Sequence, residues 1–194
     1  MSTSVFFKRY RMQIELDPLT TQTVTNPNRT SRSASEPIEW LAWQPKWSGF
    51  HALAKWESFR HEMDGNVFPC LADREGCRQL MRDIASKSNF VPEATWLAVT
   101  GSGTSWEAPI GTIQGLRTGP VLGAIQNIGV VPAWRGYGIG RELIQRALNG
   151  FQSVGCRQVT LEVTVHNLSA IRLYQSIGFK PMETVFKYGY VQTQ

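Results

Sequence analysis

The stretch Val130-Val131-Pro132-Ala133-Trp134-Arg135-Gly136-Tyr137-Gly138-Ile139-Gly140-Arg141 carries residue types suited to holding an anion. An apolar strand pattern ends at Pro132, and a helical pattern begins near Gly138. The first four N–H groups of a helix have no partner inside it, and the helix dipole adds partial positive charge at that end. Glycine lets the backbone turn tightly and lets an anion approach with no Cβ in the way. Gly136, Gly138 and Gly140 therefore suit a diphosphate docked on a helix start, with Arg135 and Arg141 able to add charge-assisted bonds. A bare strand-to-helix corner would use the same glycines. The loop is not the P-loop of nucleotide hydrolases, because no Gly-Lys-Ser/Thr follows, and its glycine spacing fits a dinucleotide fingerprint poorly. A second segment runs from Leu161-Glu162-Val163 through Asn167, Ala170, Leu173 and Tyr174 to Gly178-Phe179. Asn167 is well placed as a helix N-cap. Tyr174, two helical turns later, lies on nearly the same face.

These residues need elements to position them, and the hydrophobic periods supply candidates. Arg9 to Leu16 alternate as a strand that Pro18 ends. Thr20 to Pro37 are polar and read as a mobile linker. Trp47 to Met63 has a helical pattern, Asn66 to Leu71 reads as a loop, and Asp73 caps a second helix reaching Ala85. Ala94–Thr100, Ile110–Leu116 and Gly123–Val131 form three strands with short links, Gly101 to Glu107 being the first turn. Such a run suggests an antiparallel meander. Ile139, Leu143, Ile144, Ala147, Leu148 and Phe151 then mark an amphipathic helix, and Val159 to Val165 alternate as a strand. Asn167 to Ile177 form another helix, stopped by Gly178. Phe179 to Tyr190 close as a strand or hairpin arm. The sum is an α+β, or mixed α/β, protein whose mixed sheet carries helices on its faces.

The 194 residues suit one domain, 1–194, with a flexible segment near 18–37. No apolar run is long enough to span a membrane. The Val5-Phe6-Phe7 patch precedes its basic residues, opposite to the order in a signal peptide, so a cytoplasmic location is expected. Three cysteines, Cys70, Cys77 and Cys156, without a secretion signal argue against a disulfide framework. Their spacing is not that of metal ligands, so structural thiols and no metal are expected. The net charge of +5 is spread along the chain and suits an anionic ligand as well as a nucleic acid. A nucleic-acid binder would show a clustered basic face, so neither nucleic acid nor membrane is an expected partner.

Taken together, the two segments resemble the GNAT superfamily of acyl-CoA N-acyltransferases. Arg135-x-x-Gly138-x-Gly140 matches that family's pyrophosphate loop, and Asn167-x-x-Ala170-x-x-Leu173-Tyr174-x-x-x-Gly178-Phe179 matches its second cofactor motif. The match covers a cofactor-binding core of about 94–190. The first ninety residues carry no such motif, though two helices there fit the family's substrate-side elements. The Leu-Glu-Val strand followed by Asn and Leu-Tyr is similar in detail to the ribosomal-protein alanine N-acetyltransferases.

The resemblance implies a GNAT fold, with a central, mostly antiparallel sheet flanked by helices. It also implies transfer of an acetyl group from acetyl-CoA, the acyl donor, to an unidentified primary amine by direct attack. Tyr174 matches the tyrosine that protonates the leaving thiolate. Glu162 is the candidate base, acting directly or through water; His166 and His51 are the other candidates, read as surface or supporting groups. Ile128 to Val131 should splay from the neighbouring strand and offer backbone groups to pantetheine, Val130 foremost. Arg135, Gly136, Gly138, Ile139, Gly140 and Arg141 complete the cofactor set with Asn167 and Tyr174. Asn167 would bond pantetheine or a catalytic water while capping its helix. Val131 and Trp134 are bulkier than the family's usual residues there. Trp40, Trp43, Trp47 and Trp56 read as packing anchors, one or two of which would line an acceptor pocket. A homodimer through the C-terminal strands is compatible with the family. The alternative is a non-catalytic, CoA-binding regulatory module.

Overall fold

A computed structural model describes residues 2–16, 37–101 and 107–192. The segment expected to be mobile, 18–37, and the turn after Gly101 lie almost wholly outside these residues. Seven strands form one sheet: β1 (Ser2–Glu15), β2 (Ile38–Ala42), β3 (Phe90–Thr100), β4 (Ala108–Arg117), β5 (Leu122–Val130), β6 (Gln158–Thr164) and β7 (Lys180–Gln192). Their order across the sheet is β2-β3-β4-β5-β6-β1-β7. The helices are α1 (Ser48–Phe59), α2 (Met63–Val67), α3 (Arg74–Ala85), α4 (Ile139–Ser153) and α5 (Leu168–Ile177).

The expected meander is present, because β3, β4 and β5 are consecutive antiparallel neighbours. β5 and β6 run parallel, which requires a crossover, and α4 supplies it. Two expectations change. The single helix foreseen from Trp47 to Met63 is a 3-10 turn at Pro45–Trp47, then α1, then the separate short helix α2, which takes up part of the foreseen Asn66–Leu71 loop. The first strand begins at Ser2 and lies inside the sheet, antiparallel to both β6 and β7. Arg9 stands opposite Thr164 and Arg11 opposite Glu162. The two-residue period of a strand then puts Arg9, Arg11, Glu162 and Thr164 on one face and Met12, Leu161 and Val163 on the other.

The second face is the main core. Leu143, Ile144, Ala147 and Phe151 of α4, with Ile171 and Tyr174 of α5, pack there against Met12, Ile113, Leu161 and Val163. The first face carries α1 and α3, whose Ala52, Cys77, Met81 and Ile84 pack with Leu116. The four early tryptophans are packing groups. Trp43 meets His51 and Phe90, Trp47 meets Phe50, and the guanidinium groups of Arg146 and Arg60 lie over Trp40 and Trp56. Capping follows the sequence: Asp73 accepts a bond from Gly76 N–H, Asn167 accepts one from Ala170 N–H, and Gly178 takes the left-handed conformation after α5. The described cysteines are free thiols.

Helix α4 is held close to the sheet at Gly150, where a Cβ would lie 1.9 Å from the carbonyl oxygen of Glu93. This contact is with backbone and cannot be relieved by a side-chain rotation. Gly150→Ala is expected to cost about 3 kcal/mol by overpacking, seen as a lower midpoint in thermal denaturation. An unchanged midpoint would show that α4 can move off the sheet freely.

Candidate active site

β5 and β6 pair at Leu122–Gln158, Gly123–Val159 and Ala124–Thr160, and at no described position beyond. From there β5 stays with β4 as far as Val130, and β6 stays with β1. The register of β5 against β4 shifts between Gln114 and Gly115, which leaves Gln126 as an extra residue. A bulge of this kind bends the strand that carries it, here just past the last β5–β6 pair. The result is a cleft of about 1270 Å³ through the middle of the sheet.

Val131 N–H donates to Ile110 O at 2.9 Å, towards β4. Strand alternation therefore turns the N–H and C=O of Ile128 and Val130 the other way, into the gap. Arg135 Nε donates to Val130 O at 3.2 Å and occupies that carbonyl. The mouth of the gap is the start of α4. Gly136 and Gly138 have φ of +86° and +82°, a conformation that L side chains rarely adopt. Glu142 N–H makes an intrahelical bond, to Gly138 O at 3.1 Å. The N–H groups of Ile139 and Gly140 precede it and have no acceptor within the helix.

Most residues singled out in the sequence meet in this cleft: Ile128, Val130, Arg135, Gly136, Gly138, Ile139, Gly140, Arg141, Glu162, Asn167 and Tyr174 all line it. Val131 does not, because its N–H serves β4. Arg135 lies at the mouth, but its guanidinium is directed elsewhere. Nη1 pairs with Glu62 at 2.7 Å and Nη2 donates to Ser58 O at 3.1 Å, so it ties the glycine loop to the end of α1. Arg141 donates to Ser176 Oγ, linking α4 to α5. Trp134 lines the cleft and leans on Tyr137, whereas none of the four early tryptophans reaches it. His166 is exposed and outside the cleft.

The inner end of the cleft is charged. Glu162 Oε1 pairs with Arg11 at 3.1 Å, and Oε2 lies 3.8 Å from both Arg9 Nε and Lys187 Nζ. Arg9, with 7% of its side chain exposed, donates through Nη1 to Asp64 Oδ1 and to Thr164 Oγ1, both at 2.8 Å. Tyr174 is buried. Burial raises its phenol above the usual tyrosine range. The nearby Asp64 carboxylate adds to that rise and Arg9 opposes it. The phenol therefore stays protonated at neutral pH.

Asp64, Arg9 and Asn127 line this cleft without having been foreseen. Asn127 Nδ2 is buried with no hydrogen-bond partner. Asn127 lies in the expected strand Gly123–Val131, one residue before the stretch expected to splay. Asp64 had no sequence signal, because Met63-Asp64-Gly65-Asn66 has no helical or strand period.

Behind β4 lies a buried polar group that the cleft does not use. Lys55 Nζ donates to Gln114 Oε1 at 2.7 Å, Gln114 Nε2 reaches Thr112 Oγ1, and His51 Nδ1 lies 2.8 Å from Thr112 Oγ1. Burial lowers Lys55 to about 7 and His51 to about 3.

A sheet parted at its centre around a helix start defines an α/β protein with a cleft between two of its strands. The family model described as Acetyltransferase (GNAT) family matches residues 50–179, and the chain belongs to that family. It is 33% identical over 104 residues to N-alpha-acetyltransferase 30 of Saccharomyces cerevisiae, covering 52% of this chain and 59% of that protein. It is 36% identical over 107 residues to mycothiol acetyltransferase of Thermobifida fusca, covering 53% of this chain and 33% of that one. The matched region thus spans about a third to three fifths of these two relatives. The fold is shared with aminoglycoside N-acetyltransferase AAC(6')-Iy, solved in complex with CoA, at a TM-score of 0.59 and 14% identity over 78% of this chain and 93% of that one.

Lys55 generates a pH dependence. Between about pH 7 and the ordinary lysine value of 10.5 the unfolded chain binds a proton that the folded chain does not. Stability therefore rises with pH across that window. A gain of about 2 kcal/mol from pH 7 to pH 9 is expected in urea denaturation. Lys55→Met should remove that slope, and an identical slope in the variant would contradict the assignment.

Proposed function

We propose that the protein transfers an acetyl group from acetyl-CoA to a primary amine by direct attack of the amine on the thioester. The observation that carries this reading is the parting of β5 from β6 beyond Ala124 and Thr160, with the Gly136–Gly140 loop at its mouth. A diphosphate fits the start of α4, where N–H groups without helical partners and the helix dipole favour an anion. Arg135 acts there by holding the loop to α1, and Arg141 lies beside it. The pantetheine arm carries amide groups, and β5 turns a matching set into the gap: the N–H and C=O of Ile128 and the N–H of Val130. Bonding to them would satisfy backbone groups that the split sheet leaves open. One of these N–H groups would also polarise the thioester oxygen.

Asn167 lines the same cleft while its side chain caps α5, which suits a contact with the arm. The tetrahedral intermediate collapses with loss of the thiolate, and Tyr174 supplies the proton. Its place in the cleft supports that role. Glu162 was expected as the base, yet its two oxygens lie among Arg11, Arg9 and Lys187. Both of its oxygens are thus engaged by cations, which leaves neither free to meet an incoming ammonium. The two relatives are acetyltransferases of different kinds, and the acceptor proposed for this chain is accordingly a class, a primary amine, not a single compound.

The test is release of free thiol from acetyl-CoA in the presence of a panel of amines: an unblocked tetrapeptide amide, lysine, glucosamine and an aminoglycoside. At least one should be acetylated. Tyr174→Phe should lower turnover of that amine about 100-fold, while calorimetric affinity for CoA stays within about twofold, by removing the acid and not the binding groups. Equal turnover in the variant would remove the acid assignment.

A further inference from the structure

The inner end of the cleft contains a carboxylate better placed than Glu162 to meet the amine. Asp64 enters the cleft from α2, a helix of five residues closed by Phe68 N–H bonding to Asp64 O at 2.8 Å. Its Oδ1 accepts from Arg9 Nη1 at 2.8 Å and from Thr164 Oγ1 at 2.9 Å. Arg9 Nη1 also reaches Thr164 Oγ1 at 2.8 Å, so the three groups form a closed triangle. That triangle fixes the carboxylate by one oxygen. The other oxygen, Oδ2, has no partner among the described residues, and the side chain keeps 17% of its surface accessible where it lines the cleft. Tyr174 lines the same cleft from the opposite face of the sheet. A base and an acid on opposite sides of one gap are what an acyl transfer requires.

We propose that Asp64 Oδ2 docks the acceptor ammonium and takes its proton, making Asp64 the catalytic base. This rests on the acetyl-transfer reading above. The ammonium gives one proton to Asp64, and the neutral nitrogen forms a bond to the acetyl carbon. The C–S bond then breaks, and the thiolate takes the proton of Tyr174. The new amide nitrogen gives its remaining excess proton to the tyrosinate. Asp64 later releases its proton to water. The net change is ammonium plus thioester to amide, thiol and one proton. Arg9 and Thr164 are positioning residues. Part of the acceptor site is thus built by β1, a strand far from the cofactor motifs in sequence.

The experiment uses two amines of nearly equal size on the full chain at pH 7.5. Ethylamine is protonated there and needs a base, whereas 2,2,2-trifluoroethylamine is already largely neutral. Asp64→Asn keeps the shape of the side chain. It should lower kcat/KM for ethylamine about 100-fold while changing that for trifluoroethylamine by less than about threefold. Unchanged calorimetric affinity for acetyl-CoA shows that the variant is folded. Undiminished ethylamine turnover, or an equal fall for both amines with CoA affinity intact, would overturn the proposal. Wild-type thiol release that no amine increases, ethylamine and the panel above included, would instead sink the transfer reading, and this proposal with it.

Discussion

A sheet that opens in its middle leaves backbone hydrogen-bonding groups facing a gap, and buried groups of that kind must find partners. This constraint organises the rest of the molecule. β5 can leave β6 because β4 holds its other edge all the way to Val130. β6 can leave β5 because β1 pairs with it from Gln158 to Thr164. The bulge at Gln126 supplies the bend. Val130 C=O is met by Arg135, while its N–H and the groups of Ile128 stay turned into the gap. A ligand with its own amide groups completes such an arrangement; a closed sheet would have no use for it.

The two ends of the cleft differ in their electrostatics. At the mouth, the attraction for an anion comes from oriented N–H groups and a helix dipole, with the nearest guanidinium, Arg135, already satisfied by Glu62 and two carbonyls. At the inner end, full charges of both signs are interleaved: Arg9, Arg11 and Lys187 with Asp64, Glu162 and Glu183. Fixed dipoles suit a tightly positioned diphosphate, because they need no reorganisation on binding. Paired charges suit a place where a proton changes hands, because each ion keeps a partner when its neighbour changes state.

The glycine loop and the helices beside it were largely legible in the sequence, because local rules write them. Glycines at positive φ, an Asn that caps its own helix and an amphipathic repeat from Ile139 to Phe151 each act within a few residues. The charged inner end of the cleft was not legible, because its geometry is long-range. The period-2 pattern of Arg9 to Leu16 predicts a strand but not its neighbours, so nothing local said that Arg9 would stand opposite Thr164. Asp64 lies on a one-turn helix too short to show a period. Arg135 was expected at the phosphate from its charge and from the family's loop pattern, and the acceptors it meets, Glu62 and Ser58 O, come from α1 and the segment after it, more than seventy positions earlier. Lys55 and His51 lie on an ordinary helical pattern, and only the tertiary packing reveals that both are fully buried.

The central claim is that coenzyme A enters the gap between β5 and β6 with its diphosphate on the start of α4. Amide hydrogen exchange with and without coenzyme A tests it most directly, since the claim names the N–H groups that acquire partners. The account predicts slower exchange on binding for Val130 and for the loop and helix start from Gly136 to Gly140, with little change along β2 and β3. Exchange in those residues that is unaffected by saturating coenzyme A, or protection confined to another part of the sheet, would contradict it.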